Sequence, residues 1–316
     1  MSPSRYLYRM GLAMKSFSAR SPFTSSLRRL FARNSGRRLF QLEQLSTESR
    51  YNNESAIREL CASAYLGEGR SLCRVLGRYK MIVDTADAGL SSHLLLDGYW
   101  EMWLTELLND LVRPGMKVID VGANLGYFSL LMADLVGPEG SVHAFEPNVD
   151  LAHRMSQSVA INGFQDIVKI YQQALSDDES EVLLVIPQNE PKNGHLLPGD
   201  HPVSSDHSVD SRRLWTRRLD SYDGLADADL IKIDADTSEH AIWEGMRGIL
   251  DAGRPLKVVL EFAHARYDDP GAFLDRIQTD GFSIAEITPE HGVQPTTQSK
   301  ILAAPATSDV MLLLDR

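Results

Sequence analysis

The chain has 316 residues, 43% of them hydrophobic and 24% charged, with a formal net charge of −11. That length suits one large core with an appended cap, and no apolar run approaches the roughly 20 residues needed to cross a bilayer, so no membrane span is expected. The charge is uneven: residues 1–42 carry nine Lys or Arg and no acid, whereas the remainder is strongly acidic. An acidic body repels polyanions, which argues against nucleic acid as a partner. Cys61 and Cys73 have neither CxxC nor zinc-finger spacing, so neither a disulfide framework nor a structural zinc site is expected, and a reducing, cytoplasmic location fits.

Residues 1–45 read as a basic, flexible arm, although an Arg- and Ser-rich, acid-poor stretch is also the composition of a transit peptide or of a contact for an anionic surface. No continuous apolar core follows the first basic residues, so no secretory signal is expected. Residues 46–97 read as a cap: apolar residues over 54–65 at helical spacing predict a short helix, and the apolar runs 72–76 and 79–83 flank Gly77-Arg78 as a hairpin. From Gly98 onward a larger domain is expected to run to residue 316. Trp100, Trp103, Leu104, Leu107, Leu108 and Leu111 mark one face of an amphipathic helix, closed by Pro114-Gly115. Strand-like and helix-like segments then alternate, the pattern of a parallel sheet with crossover helices. Strands are expected at 116–121, 141–145, 167–171, 181–186, 230–233, 257–262, 282–287 and 310–314. Helices are expected at 127–136, 148–162, 238–250 and 271–279. Residues 187–211 are polar and aperiodic and read as a long loop. His195, His201 and His207 lie in it at a spacing that suits no compact metal site, so a lid over an acceptor is the reading preferred.

The chemistry concentrates where a buried strand, Val118-Ile119-Asp120-Val121, runs into the turn Gly122-Ala123-Asn124-Leu125-Gly126. Glycines allow a tight turn and close backbone approach, and an acid at a strand end reaches a ligand at the carboxyl edge of the sheet. About 20 residues on, Glu146 in Phe145-Glu146-Pro147 closes the next strand where a carboxylate grips ribose hydroxyls. The spacing is not the G-x-G-x-x-G of a pyrophosphate turn, and Asn124 stands where a dinucleotide site needs glycine. A nicotinamide-dependent oxidoreductase therefore remains only the alternative enzyme reading.

The run from Gly98-Tyr99-Trp100-Glu101 through Arg113-Pro114-Gly115, 118–128, 140–148 and Ile231-Lys232-Ile233-Asp234 resembles the FkbM family of methyltransferases. The resemblance covers roughly residue 72 to the end of the chain. It implies a doubly wound α/β fold with a seven-stranded Rossmann-like methyltransferase sheet, here behind an N-terminal cap of a helix and a short hairpin. It also implies S-adenosylmethionine as cofactor and O-methylation of a hydroxyl on a glycan or small natural product. Carried over, Asp120, Gly122, Asn124 and Gly126 would line the methionine part of the cofactor, Glu146 would hold its ribose, and Ala174 and its neighbours would approach the adenine.

One departure stands out. The family commonly continues its fourth strand as I-K-I-D-V-E-G-A-E, whereas this chain has Asp236 for the acid and Thr237 for the glycine. Thr237 or Ser238 is expected to cap the next helix, with Glu239 in its first turn. The departure keeps a cofactor-binding pseudoenzyme as a further alternative. An alcohol acceptor must lose its proton, and the candidates at the carboxyl ends of the fourth and fifth strands are Asp234, Asp236, Glu261 and His264. Asp234 is expected beside the transferred methyl and His264 as the base; no metal ligands are assigned, because the acids come from separate strands. The oligomeric state has no sequence signal.

Overall fold

A computed structural model describes residues 39–187, 190–203, 209–305 and 308–316. Phe40–Arg316 form one compact unit; the other, Met1–Leu39, is described only at Leu39, so most of the predicted arm lies outside the described residues. The packed chain begins earlier than composition suggested, because Phe40, Leu42 and Leu45 are buried.

In chain order the strands are β1 (Ser63–Gly67), β2 (Arg70–Val75), β3 (Tyr79–Asp84), β4 (Lys117–Val121), β5 (Ser141–Phe145), β6 (Val168–Tyr171), β7 (Ala174–Leu175), β8 (Glu181–Pro187), β9 (His195–Pro198), β10 (Val209–Arg217), β11 (Leu230–Ile233), β12 (Lys257–Phe262), β13 (Ser283–Thr288), β14 (Gly292–Pro295) and β15 (Val310–Asp315). The cap helix is Arg50–Leu60, started by Ser49, whose hydroxyl accepts from the Asn52 N–H at 3.3 Å. It ends before residue 65, because the chain crosses over to form β1, and β1-β2-β3 make a three-stranded antiparallel sheet in place of the expected two-stranded hairpin. A further cap helix, Leu90–Leu96, follows.

The central sheet has the order β14-β13-β15-β12-β11-β4-β5-β6. Strands β12, β11, β4, β5 and β6 are mutually parallel, and β15 is inserted antiparallel between β12 and β13. This sheet has eight strands where seven were expected, the extra one being β14, the return arm of a hairpin on β13. The central strands are near-continuous apolar runs because helices cover both faces. Val118 belongs to one hydrophobic cluster and Ile119 to another, as successive side chains point to opposite faces. The first cluster also takes in Phe40, Ile57, Val75, Met81 and Leu94, so the cap shares its core with the sheet. Strand order reverses between β4 and β11, and in open α/β sheets that switch point leaves a crevice outside the carboxyl ends of the strands.

Candidate active site

The turn after β4 is built by three unlike residues. Gly122 has φ 74°, and a Cβ on it would lie 1.7 Å from the Asp234 carbonyl oxygen, so only glycine lets the ends of β4 and β11 abut. Gly126 has φ 86°, and its added Cβ would meet Met155 Cγ at 2.5 Å, so it serves the packing of the next helix. Asn124, at φ 53°, takes the left-handed conformation that Asn tolerates better than most residues. Its Oδ1 accepts from the Leu125 N–H at 2.7 Å, and its own N–H donates to Glu146 Oε2 at 2.8 Å.

Glu146 Oε1 accepts from the Asn148 N–H at 2.8 Å, which fixes the carboxylate in the bend after β5. Burial pushes its carboxyl up to about 7, although both backbone bonds favour the charged form. Asp120 lies fully buried under the turn. Its Oδ2 accepts from Ser129 Oγ at 2.6 Å, while Oδ1 has no hydrogen-bond partner and Lys232 Nζ stands 3.9 Å away. Burial raises the Asp120 carboxyl above the usual range, against the pull of Lys232.

A cleft of about 330 Å³ opens at this edge of the sheet. Of the predicted residues, Gly122, Asn124, Glu146, Ala174 and Asp234 line it, whereas Asp120, Gly126 and His264 do not. Lys232, buried on β11, donates from Nζ to Asp234 Oδ2 at 2.9 Å. Burial disfavours its charge, but Asp234 and Asp120 outweigh that and hold the ammonium above its ordinary range.

Beyond Asp234 the wall is unexpectedly ionic. Arg266 NH1 lies 3.6 Å from Asp236 Oδ1 and 3.8 Å from Glu261 Oε2, and its NH2 lies 3.3 Å from Asp309 Oδ2. Burial and the Asp234 charge push Asp236 up to about 7 and raise Glu261 well above the carboxylate range. Asp236 and Thr237 have φ 43° and 91°, so the backbone keeps a shape that suits glycine although glycine is absent. Ser238 occupies the N-cap position without a side-chain bond, and no cap from Thr237 forms either. Glu239 reaches back instead: Oε1 accepts from the Ala235 N–H at 3.0 Å and Oε2 from the Tyr267 hydroxyl at 2.9 Å.

The polar stretch that read as a loop is largely ordered. β9 pairs with β8, β8 with β10, and β10 with β7, and the 3₁₀ turn Pro191–Asn193 presents Pro191, Lys192 and Asn193 to the cleft. Lys192 Nζ lies 5.0 Å from the centroid of the Trp100 ring, a cation–π contact, and its Cε passes 2.7 Å from where a Cβ on Gly89 would be. His195 and His201 sit on this segment away from the cleft lining, and His207 lies outside the described residues. His264 begins the 3₁₀ turn after β12, its Nδ1 buried without a partner. Among the described residues no group of three or more His, Cys, Asp or Glu is arranged to hold a metal ion. No described helix is long and apolar enough to cross a membrane.

Sequence reasoning missed Glu101, Lys192, Arg266 and Asp309 as cleft residues. Only Glu101 carried a signal: it is an acid set directly before an apolar helical stripe, between the buried Met102 and the cleft-facing Trp100.

The family described as Methyltransferase FkbM domain matches residues 120–288, more than half of the chain. A protein-L-isoaspartate O-methyltransferase from Aeropyrum pernix is 41% identical over 58 residues, 18% of this chain and 22% of that protein. The methyltransferase sdnD of Sordaria araneosa is 26% identical over 155 residues, 41% of this chain and 60% of its own length. The chain thus spans less than a third of the length of the first curated relatives that it matches. Among solved structures, the O-methyltransferase TomG of Streptomyces achromogenes, in complex with S-adenosylmethionine, is 16% identical, with 73% of this chain and 87% of that chain covered at a TM-score of 0.41. The family match begins at Asp120, takes in the β4 turn, Glu146 and Asp234, and reaches the end of β13; the chain belongs to the FkbM methyltransferase family.

Proposed function

We propose that the chain transfers the methyl group of S-adenosylmethionine to a hydroxyl of a glycan or small natural product, in the cleft at the carboxyl ends of β4, β5 and β11. The observation that carries this reading is that Glu146 and Asp234 line one cleft, with the Gly122 turn beside both. As a methyltransferase of this family the chain uses S-adenosylmethionine as its methyl donor.

The residues present fit that donor. A carboxylate has about four acceptor positions, and Glu146 uses two of its own on the Asn124 and Asn148 N–H groups. The rest are free for the two ribose hydroxyls. Gly122 and Asn124, with Asp120 beneath and Gly126 fixing the helix behind, would hold the methionine part, and Ala174 with Gln173 and Leu175 would flank the adenine. When bound, the donor supplies an electrophilic methyl on sulfur. Asp234, held by Lys232, is then placed to orient the acceptor, and the protein's task is alignment and exclusion of water. His264 lies off the cleft and is not carried into the reaction. Glu101, Asp234, Asp236, Glu261 and Asp309 line the cleft against Lys192, Lys232 and Arg266.

The test is a mass-shift screen: glycan and small-metabolite extracts are incubated with enzyme and trideuteromethyl-labelled S-adenosylmethionine. A labelled methyl on oxygen in a glycan or small metabolite is the expected result. A methyl on nitrogen or carbon defeats the hydroxyl reading. Donor binding without transfer to any extract favours a protein that binds the cofactor without turning it over.

A further inference from the structure

Glu101 is the one cleft carboxylate that comes from outside the sheet and its loops. It stands in the N-cap position of the helix Met102–Leu111 with φ 38° and ψ 66°, a left-handed conformation that a side chain this long rarely adopts. Its side chain makes no capping bond, and among the described residues its carboxylate has neither a hydrogen bond nor an ion pair. The backbone there is over-determined. The Glu101 carbonyl accepts from the Leu104 and Thr105 N–H groups, both at 2.9 Å. Thr105 Oγ1 donates to the Trp100 carbonyl at 3.1 Å and lies 3.1 Å from the Tyr127 hydroxyl. A strained backbone locked from several sides, holding an unpaired carboxylate toward a cleft, is a pattern that marks functional residues.

Asp234, by contrast, is tied to the Lys232 ammonium. That bond fixes the direction of the Asp234 carboxylate, which suits it to orienting the acceptor.

We propose that Glu101 is a catalytic residue that takes the acceptor's proton as the methyl group is transferred. The inference rests on the methyl-transfer reading above. The acceptor oxygen's lone pair forms the bond to the methyl carbon, the methyl–sulfur bond breaks with its pair left on sulfur as a neutral thioether, and the O–H proton passes to the Glu101 carboxylate. The charged and titratable groups that act on Glu101 are Lys232 of β11, Asp234 just after it, Lys192 of the 3₁₀ turn and Tyr127 of the facing helix. Burial first, and the Asp234 charge next, push the Glu101 carboxyl up to about 7, against the pull of Lys232 and Lys192. A base poised near neutral pH is matched to general-base work.

The experiment compares Glu101→Gln, Glu101→Asp and wild type in two arms. In the first, initial rates of labelled-methyl transfer into the extract fraction that wild type labels are measured against pH, with donor affinity by calorimetry. The expectation is a fall of about 100-fold or more in kcat for Glu101→Gln, partial recovery in Glu101→Asp, a wild-type rate that rises through about pH 7, and donor affinity within twofold of wild type. Donor affinity lost in step with turnover makes Glu101 a cofactor contact, and unchanged turnover removes it from the reaction; either overturns the proposal. The oxygen or nitrogen position of the label in the wild-type product judges the hydroxyl reading separately. The second arm needs no acceptor. A carboxyl whose folded pKa lies above its unfolded value of about 4.3 keeps more protons in the folded state, so the stability it contributes is present below that value and is lost as pH rises through about 7. Thermal midpoints of Glu101→Gln and wild type should agree most closely near pH 4, below the unfolded value, and the variant should melt a few degrees higher at pH 8. Parallel profiles at both pH values overturn the proposal, because Glu101 would then not be the group that titrates.

Discussion

Glu146 uses both of its carboxylate oxygens on the protein's own backbone. It ties the β4 turn to the bend after β5 through the Asn124 and Asn148 N–H groups, and the residue lines the cleft. Glu146→Ala should weaken S-adenosylmethionine binding by about 1 to 3 kcal/mol, the range for hydrogen bonds to a charged group. It should also leave two backbone donors short of partners. Calorimetry on the folded variant checks the first effect; wild-type affinity would remove Glu146 from the donor site. At this scale the sequence was informative where a residue directly follows a strand, as Glu146 and Asp234 do at the cleft, but Asp120, one residue inside the end of β4, lies buried beneath the turn and not on the cleft. Gly122 and Gly126 were legible as turn glycines but not in their purposes, because the partners that forbid a Cβ, Asp234 and Met155, are remote in the chain. Arg266 and Asp309 were illegible for a related reason, since the contacts that define them join separate segments of the chain.

Among the elements, the loop after β11 holds two consecutive residues, Asp236 and Thr237, in left-handed conformations. Thr237 is exposed and sits at φ 91°, where a Cβ costs about 1 to 2 kcal/mol, while the Glu239 bonds to Ala235 and Tyr267 hold the segment in shape. Thr237→Gly should therefore stabilise the protein by about 0.5 to 1 kcal/mol after glycine's extra unfolded-state freedom is subtracted. Thermal melting reads this out, and a lowered midpoint would mean that the threonine side chain matters more than its backbone strain. The parallel strands and the helices at 127–136 and 149–162 lay close to their sequence-predicted bounds, since apolar runs and 3.6-residue spacing are strong signals, whereas the single helix expected at 238–250 is two, Glu239–Glu244 and Arg247–Asp251. Strand β10 was missed because Val209–Arg217 alternates no apolar face; backbone bonding to β8 holds it. Strand β14 was missed because four residues are too short to show a period.

For the molecule as a whole, the central sheet cannot be assembled in the order in which it is written. β4, which leads into the Gly122 turn, neighbours β11, more than a hundred residues further along the chain, and the outer edge of β12 stays open until β15 slots between it and β13. A chain ending after Ser308 would leave one edge of β12 and one edge of β13 open, an aggregation hazard. That truncation is expected to be insoluble on expression, as judged by fractionation, and a soluble product that still binds S-adenosylmethionine would contradict it. A ribosome making this protein therefore exposes the facing edges of β12 and β13 until Val310–Asp315 have emerged, so the last strand to be made is the one that closes the sheet's antiparallel side.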